Sequence, residues 1–176
     1  MNAGNRYRGR LTDEYVLRIV NGLLDEMLAS FPAVSLVGPR AAGKTTTAVR
    51  RAGTVLRLDQ PEIRQSVAAS PDAILAGMRR PVILDEWQEV PDVLGAVKRA
   101  VDDDPAPGRF ILTWSVRAEL ESRVWPGTGR ILQILMYGFS VRELLGRSTY
   151  KPFTDRVLDD GTSAVAAPDE ALNVRD

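Results

Sequence analysis

Gly38-Pro39-Arg40-Ala41-Ala42-Gly43-Lys44-Thr45 has the spacing G-x-x-x-x-G-K-T, a loop that can wrap backbone N–H groups around phosphate oxygens. Gly38 and Gly43 permit backbone angles and a close phosphate approach that a Cβ would obstruct. Pro39 stiffens the loop, Arg40 is expected to face solvent or a partner, and Ala41 and Ala42 complete the wrapped segment. The Lys44 ammonium is expected at the β- and γ-phosphates, and the Thr45 hydroxyl on Mg²⁺. Thr46 or Thr47 can touch the α-phosphate, although either can equally be a helix hydroxyl bonded to the preceding turn. The first N–H groups of the helix that follows, and its dipole, favour the same negative charge. The chemistry indicated is binding of ATP with Mg²⁺.

A second group of candidates ends the run Arg80-Pro81-Val82-Ile83-Leu84-Asp85-Glu86. A continuous apolar run suits an inner parallel strand, and ligands sit at the carboxyl ends of such strands. Asp85 is expected to hold Mg²⁺ directly or through water, and Glu86 to polarise the attacking water. Thr113 and Ser115, at the end of Phe110-Ile111-Leu112-Thr113, can orient that water or sense hydrolysis. Arg117, Arg123 and Arg130 are candidates for neutralising charge on the transferred phosphoryl group, in cis or from a neighbouring subunit. Arg57 and Arg64 read as surface residues.

These residues need a scaffold. Ala33 to Val37 reads as a buried strand entering the loop, and Lys44 to Arg51 as the helix leaving it. Upstream, Thr12 is expected to cap an amphipathic helix whose apolar positions are Val16, Ile19, Val20, Leu23, Leu24, Met27 and Leu28. Downstream, strands are expected at Thr54–Asp59, Val82–Asp85, Phe110–Thr113 and Ile131–Met136. Helices are expected at Pro61–Ala69, Asp72–Ala76 and Pro91–Val101, with a short one capped by Ser140. Strands alternating with helices predict a P-loop NTPase-type three-layer α/β/α sandwich with a mostly parallel five-stranded sheet. By analogy with ATPases that carry a glutamate after the metal-site aspartate, its order is 2-3-4-1-5. Asp102-Asp103-Asp104, ahead of a Pro-Gly turn, reads as a solvated loop rather than a metal site.

Composition narrows the classes. The 176 residues suit one α/β core, and 44% are hydrophobic. Lysine plus arginine number 23 and aspartate plus glutamate 23, so charge balance gives no support for general nucleic-acid binding. The sequence has no cysteine and no histidine, which excludes disulfides, thiolate or imidazole zinc sites and histidine acid–base catalysis. No apolar run is long enough to cross a bilayer and no signal-peptide pattern opens the chain, so a cytoplasmic protein with no membrane partner is expected.

From about Leu11 to Gly146 the chain resembles the N-terminal ATPase module of prokaryotic AAA-like ATP-binding proteins, which often carry a second, C-terminal domain. The resemblance rests on Val37–Thr46, Leu56-Arg57-Leu58-Asp59, Arg80–Pro91 with its Asp85-Glu86-Trp87-Gln88, Pro107–Ser115 and Gly129-Arg130-Ile131. It implies nucleotide and magnesium roles for Lys44, Thr45, Asp85 and Glu86, a polar sensing turn at Thr113-Trp114-Ser115, and a recurrent arginine at Arg130. Self-association is common among such relatives. Two departures stand out. Trp114 replaces a usual glycine: were that position left-handed, strain or a ring intruding on the nucleotide would follow, but core packing is the default expectation for a buried tryptophan. Residues 148–176 read as a linker or tail where the C-terminal domain would follow, and residues 1–10 as a loose segment ahead of an 11–147 ATPase domain. Mg²⁺-dependent ATP hydrolysis is the leading reading. The alternatives are a nucleotide-binding regulatory or interaction module with weak hydrolysis, and a small-molecule kinase.

Overall fold

Short runs of β-branched and aliphatic residues, apolar on both faces, become the inner strands of a sheet covered on both sides. The structure is a computed structural model describing residues 15–115, 129–146, 148 and 153–160. In chain order it comprises α1 (Val20–Ser30), β1 (Ala33–Gly38), α2 (Lys44–Val49), β2 (Thr54–Arg57), α3 (Pro61–Ala69), α4 (Pro71–Ala76) and β3 (Val82–Asp85). A 3₁₀ turn (Trp87–Glu89), α5 (Val93–Asp103), β4 (Phe110–Ser115), β5 (Leu132–Leu135), α6 (Val141–Leu144) and α7 (Phe153–Asp160) follow. The five strands lie in the order β2-β3-β4-β1-β5, as expected, and all neighbouring pairs are parallel.

The pleat sends alternate side chains to two cores. On one face Val34, Leu36, Ile83, Ile111 and Ile134 meet Leu24 and Leu28 of α1 and Ala48 of α2. On the other, Leu56, Leu84, Phe110 and Leu112 meet Val67 of α3, Leu75 of α4 and Val93, Val97 and Val101 of α5. Each fully buried aliphatic side chain contributes roughly 1.5–3 kcal/mol of transfer free energy. Pro61 and Pro71 open α3 and α4 at first-turn positions, where a missing N–H costs nothing.

The expected helix from Thr12 is corrected. Thr12 itself lies outside the described residues, but Tyr15 to Arg18 are not helical and α1 begins only at Val20. The reason is a distant carboxylate: Glu143 Oε1 accepts the Ile19 N–H at 2.8 Å and the Arg18 guanidinium at 2.9 Å. Asn21, rather than Leu23, turns inward, and its side-chain oxygen accepts from the Tyr15 hydroxyl at 2.7 Å. Arg117 and Arg123 lie outside the described residues, as do residues 1–10. Of the 148–176 stretch, Phe153–Asp160 forms α7.

Candidate functional site

Parallel register brings the carboxyl ends of the strands together: Gly38 pairs with Ser115, and Arg57 with Asp85. The phosphate loop leaves β1 there. Gly43 has φ 87° and Ala41 φ 60°, the left-handed turns that fold the loop over its own helix. Gly38 is required for a second reason. A Cβ on it would stand 1.9 Å from the Met136 carbonyl oxygen, because the chain leaving β5 crosses close by. Arg40 is exposed, Thr46 half-buried, and Thr47 buried with its hydroxyl 3.1 Å from that of Tyr15.

Lys44 is buried at the loop centre. Its ammonium donates to the Gly38 carbonyl at 3.0 Å, the Pro39 carbonyl at 2.7 Å and Ser115 Oγ at 3.2 Å. Burial lowers its pKa, with Glu86 and Asp85 opposing that shift. Ser115 in turn donates to Glu86 Oε1 at 3.0 Å, and Gln88 Nε2 donates to Glu86 Oε2. Alongside this chain, Asp85 is 1% exposed and its Oδ1 accepts from the hydroxyls of Thr45 and Thr113, each at 2.6 Å. Thr113 Oγ1 also accepts the Glu86 N–H at 3.2 Å.

Lys44, Thr45, Asp85, Glu86, Thr113 and Ser115 thus converge in one hydrogen-bonded site. The adjoining Thr45 hydroxyl and Asp85 carboxylate are hard oxygen donors of the kind Mg²⁺ takes. Among the described residues no cluster of three Asp, Glu, His or Cys side chains could hold a metal. The residues fit Mg²⁺ with a nucleotide.

Arg130 does not join them. It precedes β5 and pairs with Asp102 at 2.9 Å, whereas the site lies at the far end of β1, roughly 20 Å away at ~3.3 Å per residue. Trp114 packs against the core, as expected. It lies in β4 as register partner of Val37, and the non-glycine residues of positive φ among those described are Ala41 and Glu86, so it carries no left-handed strain. Its side chain points to the face opposite Thr113 and Ser115, where its ring centroid is 5.6 Å from that of Trp87. Arg57 is corrected: it is half-buried, with Nε 3.6 Å from Asp85 Oδ2. Arg64 is on the surface as expected, paired with Glu89 at 3.1 Å.

Two buried residues that brace the loop went unseen in the sequence. Arg18 donates to the Ala42 carbonyl at 2.7 Å, to the Tyr137 carbonyl at 2.7 Å and to Glu143, and it stacks 4.2 Å above the Phe139 ring centre. Burial alone would raise the Glu143 carboxyl. Bonds from the Ser140 and Ile19 N–H groups, from Arg18 and from the Ser140 hydroxyl overcome it and hold the group down at about 2. Ser140 was expected to cap its helix and does, with Glu143 completing a capping box, but nothing local pointed to Arg18.

A family model described as an AAA domain matches residues 30–145. The uncharacterized protein Rv2008c of Mycobacterium tuberculosis is 29% identical over 117 residues, 64% of this chain. The uncharacterized protein Mb2031c of Mycobacterium bovis matches with the same identity and coverage. The matched region is 26% of each relative, so the chain spans about a quarter of the length of the curated relatives it matches.

Proposed function

The chain belongs to the AAA domain family, a family of nucleotide-binding P-loop ATPases, and from that premise we propose that it binds ATP with Mg²⁺ and hydrolyses it. Water is the nucleophile and no covalent intermediate forms. The observation that supports this reading is the connected chain Lys44–Ser115–Glu86, set beside Thr45–Asp85–Thr113 at adjacent strand ends.

Thr45 and Asp85 would hold the metal, which when bound neutralises charge on the phosphate oxygens. The loop N–H groups between Gly38 and Thr46 cradle the phosphates. Lys44 exchanges its bonds to the Gly38 and Pro39 carbonyls for phosphate oxygens, and that exchange loosens its hold on Ser115. Glu86 takes a proton from the attacking water, while Thr113 ties the Glu86 backbone to Asp85 and keeps the carboxylate beside the phosphate loop. Trp114, facing the other core, gives no steric reason for weak hydrolysis.

Calorimetry and phosphate release test the proposal. Lys44→Ala should lower ATP affinity at least tenfold. Glu86→Gln should keep ATP affinity and slow phosphate release at least tenfold, about 1.4 kcal/mol on the barrier. Unchanged affinity in the first variant, or unchanged turnover in the second, would sink the corresponding role. Tight ATP binding by a wild type that releases no phosphate would favour a nucleotide-binding regulatory module instead.

A further inference from the structure

Glu86 has φ 54° and ψ 51°, a left-handed conformation that costs a residue with a Cβ on the order of 1–2 kcal/mol. Strain of this kind persists where the surroundings enforce it, and here it has a geometric result. The chain turns back immediately into the Trp87–Glu89 3₁₀ turn, and the Gln88 side chain returns onto the Glu86 carboxylate. Trp87, 8% exposed and packed against Trp114, anchors that turn in the core.

The chemistry of the pair fixes which way the Gln88 amide faces. An ionised carboxylate only accepts hydrogen bonds, so the NH₂ end must meet Glu86 Oε2. The carbonyl end is then turned away, and Gln88 Oε1 is a buried acceptor with no hydrogen-bond partner among the described residues. A buried acceptor left unfilled costs about 1–3 kcal/mol, and native proteins rarely tolerate one without a reason. Glu86 is held from the other side by Ser115, itself bonded to Lys44. The unfilled acceptor therefore stands next to the carboxylate that the hydrolysis reading assigns as base.

We propose that Gln88 is a second holder of the attacking water: Nε2 positions the Glu86 carboxylate and Oε1 accepts one O–H of the water that Glu86 deprotonates. This inference rests on the hydrolysis reading above. In the step, the water oxygen bonds to the γ-phosphorus and one of its protons passes to Glu86. The other stays on the oxygen and points at Gln88 Oε1. The bond from phosphorus to the bridging oxygen breaks, ADP leaves with the electron pair, and Glu86 later returns its proton to solvent or phosphate. Two fixed acceptors define the orientation of a water where one carboxylate leaves it free to rotate, so Gln88 acts on the rate of the chemical step and not on ATP affinity.

The test uses the full chain with ATP and Mg²⁺, measuring ATP affinity, melting midpoint and single-turnover phosphate release for Gln88→Met, Glu86→Gln and the double variant. Methionine keeps the length of the side chain and removes both polar ends; Gln88→Ala is read in the same way should the methionine variant fail to fold. The expected result is a phosphate-release rate about tenfold lower, ATP affinity within about twofold of wild type, and a double variant no slower than Glu86→Gln alone. Wild-type turnover in the Gln88 variants, a parallel loss of ATP affinity, or losses that multiply in the double variant would each overturn the inference. An inactive Glu86→Gln beside an active Gln88→Met rejects the second holder alone. A wild type without turnover, or a Glu86→Gln variant at the wild-type rate, rejects the hydrolysis reading and the inference with it.

Discussion

Along β4, Thr113 and Ser115 face Asp85 and Glu86, while Trp114 between them faces Trp87 on the opposite side of the sheet. That alternation is the strand pleat acting on three consecutive residues, and it separates the roles they can play. A tryptophan at this position is part of the packing on the α3–α5 face. Trp114→Ala should therefore lower stability by about 2–3 kcal/mol, less than for a fully enclosed ring because Trp114 is only partly buried. Phosphate release per folded molecule should stay within about twofold. Urea unfolding gives the first number and an activity assay at a temperature below the transition gives the second. A large change in turnover at unchanged stability would put the ring at the nucleotide after all.

The phosphate loop, as an element, is held from behind. Arg18 ties the Ala42 carbonyl to the segment after β5, and Glu143 of α6 ties Arg18 to the start of α1. Glu143 carries a folded-state pKa of about 2 against an ordinary 4.5. A depressed carboxyl contributes stability above its unfolded pKa and loses it as pH falls through the folded value, so the window is from about pH 5 down to pH 2. The contribution is on the order of 3 kcal/mol. Glu143→Gln should flatten this part of the acid unfolding profile while leaving the rest. Arg18→Met strands a buried carboxylate and should cost about 3–5 kcal/mol near pH 7, with ATP affinity falling as the loop loses its anchor. Unfolding curves at pH 7 and pH 3 separate the two variants; equal acid profiles for wild type and Glu143→Gln would remove the brace from the account.

At the scale of the whole molecule, the sheet has a working end and a structural end. All strands run the same way, so every carboxyl terminus lies beside the phosphate loop and every amino terminus lies opposite. Arg130 belongs to the opposite end, paired with Asp102 of α5. An arginine side chain cannot span the roughly 20 Å between them, six residues at ~3.3 Å each. In dilute solution Arg130→Ala should leave turnover within about twofold of wild type. A marked drop at low protein concentration would place the guanidinium at its own nucleotide. A drop confined to high concentration would show a neighbour supplying it, as expected if the chain self-associates. Mg²⁺–ATP at a hundred times its dissociation constant should also stabilise the fold by about 2.7 kcal/mol, seen as a raised melting midpoint that Lys44→Ala cuts by about half or more.

Much of this was written locally and so was legible in the sequence. The phosphate loop, the apolar run ending in Asp85-Glu86, Pro61 at the start of α3 and the Ser140 cap of α6 each depend on residues a few positions apart. The strand order followed from analogy to chains sharing those two motifs, and the register then carried Thr113 and Ser115 to the site. What escaped the sequence depends on long-range neighbours. The helix expected from Thr12 gives way to α1 at Val20 because Arg18 is claimed by a carboxylate 125 residues away. Arg57 looked like surface until pairing of β2 with β3 set it beside Asp85. The face that Trp114 presents could not be assigned from a motif in which glycine is usual. Gln88 reads as one more polar residue of a turn until the left-handed Glu86 brings it back. Propensity and spacing act over a few residues, whereas which groups are desolvated together is decided only when strands distant in sequence become neighbours in the sheet.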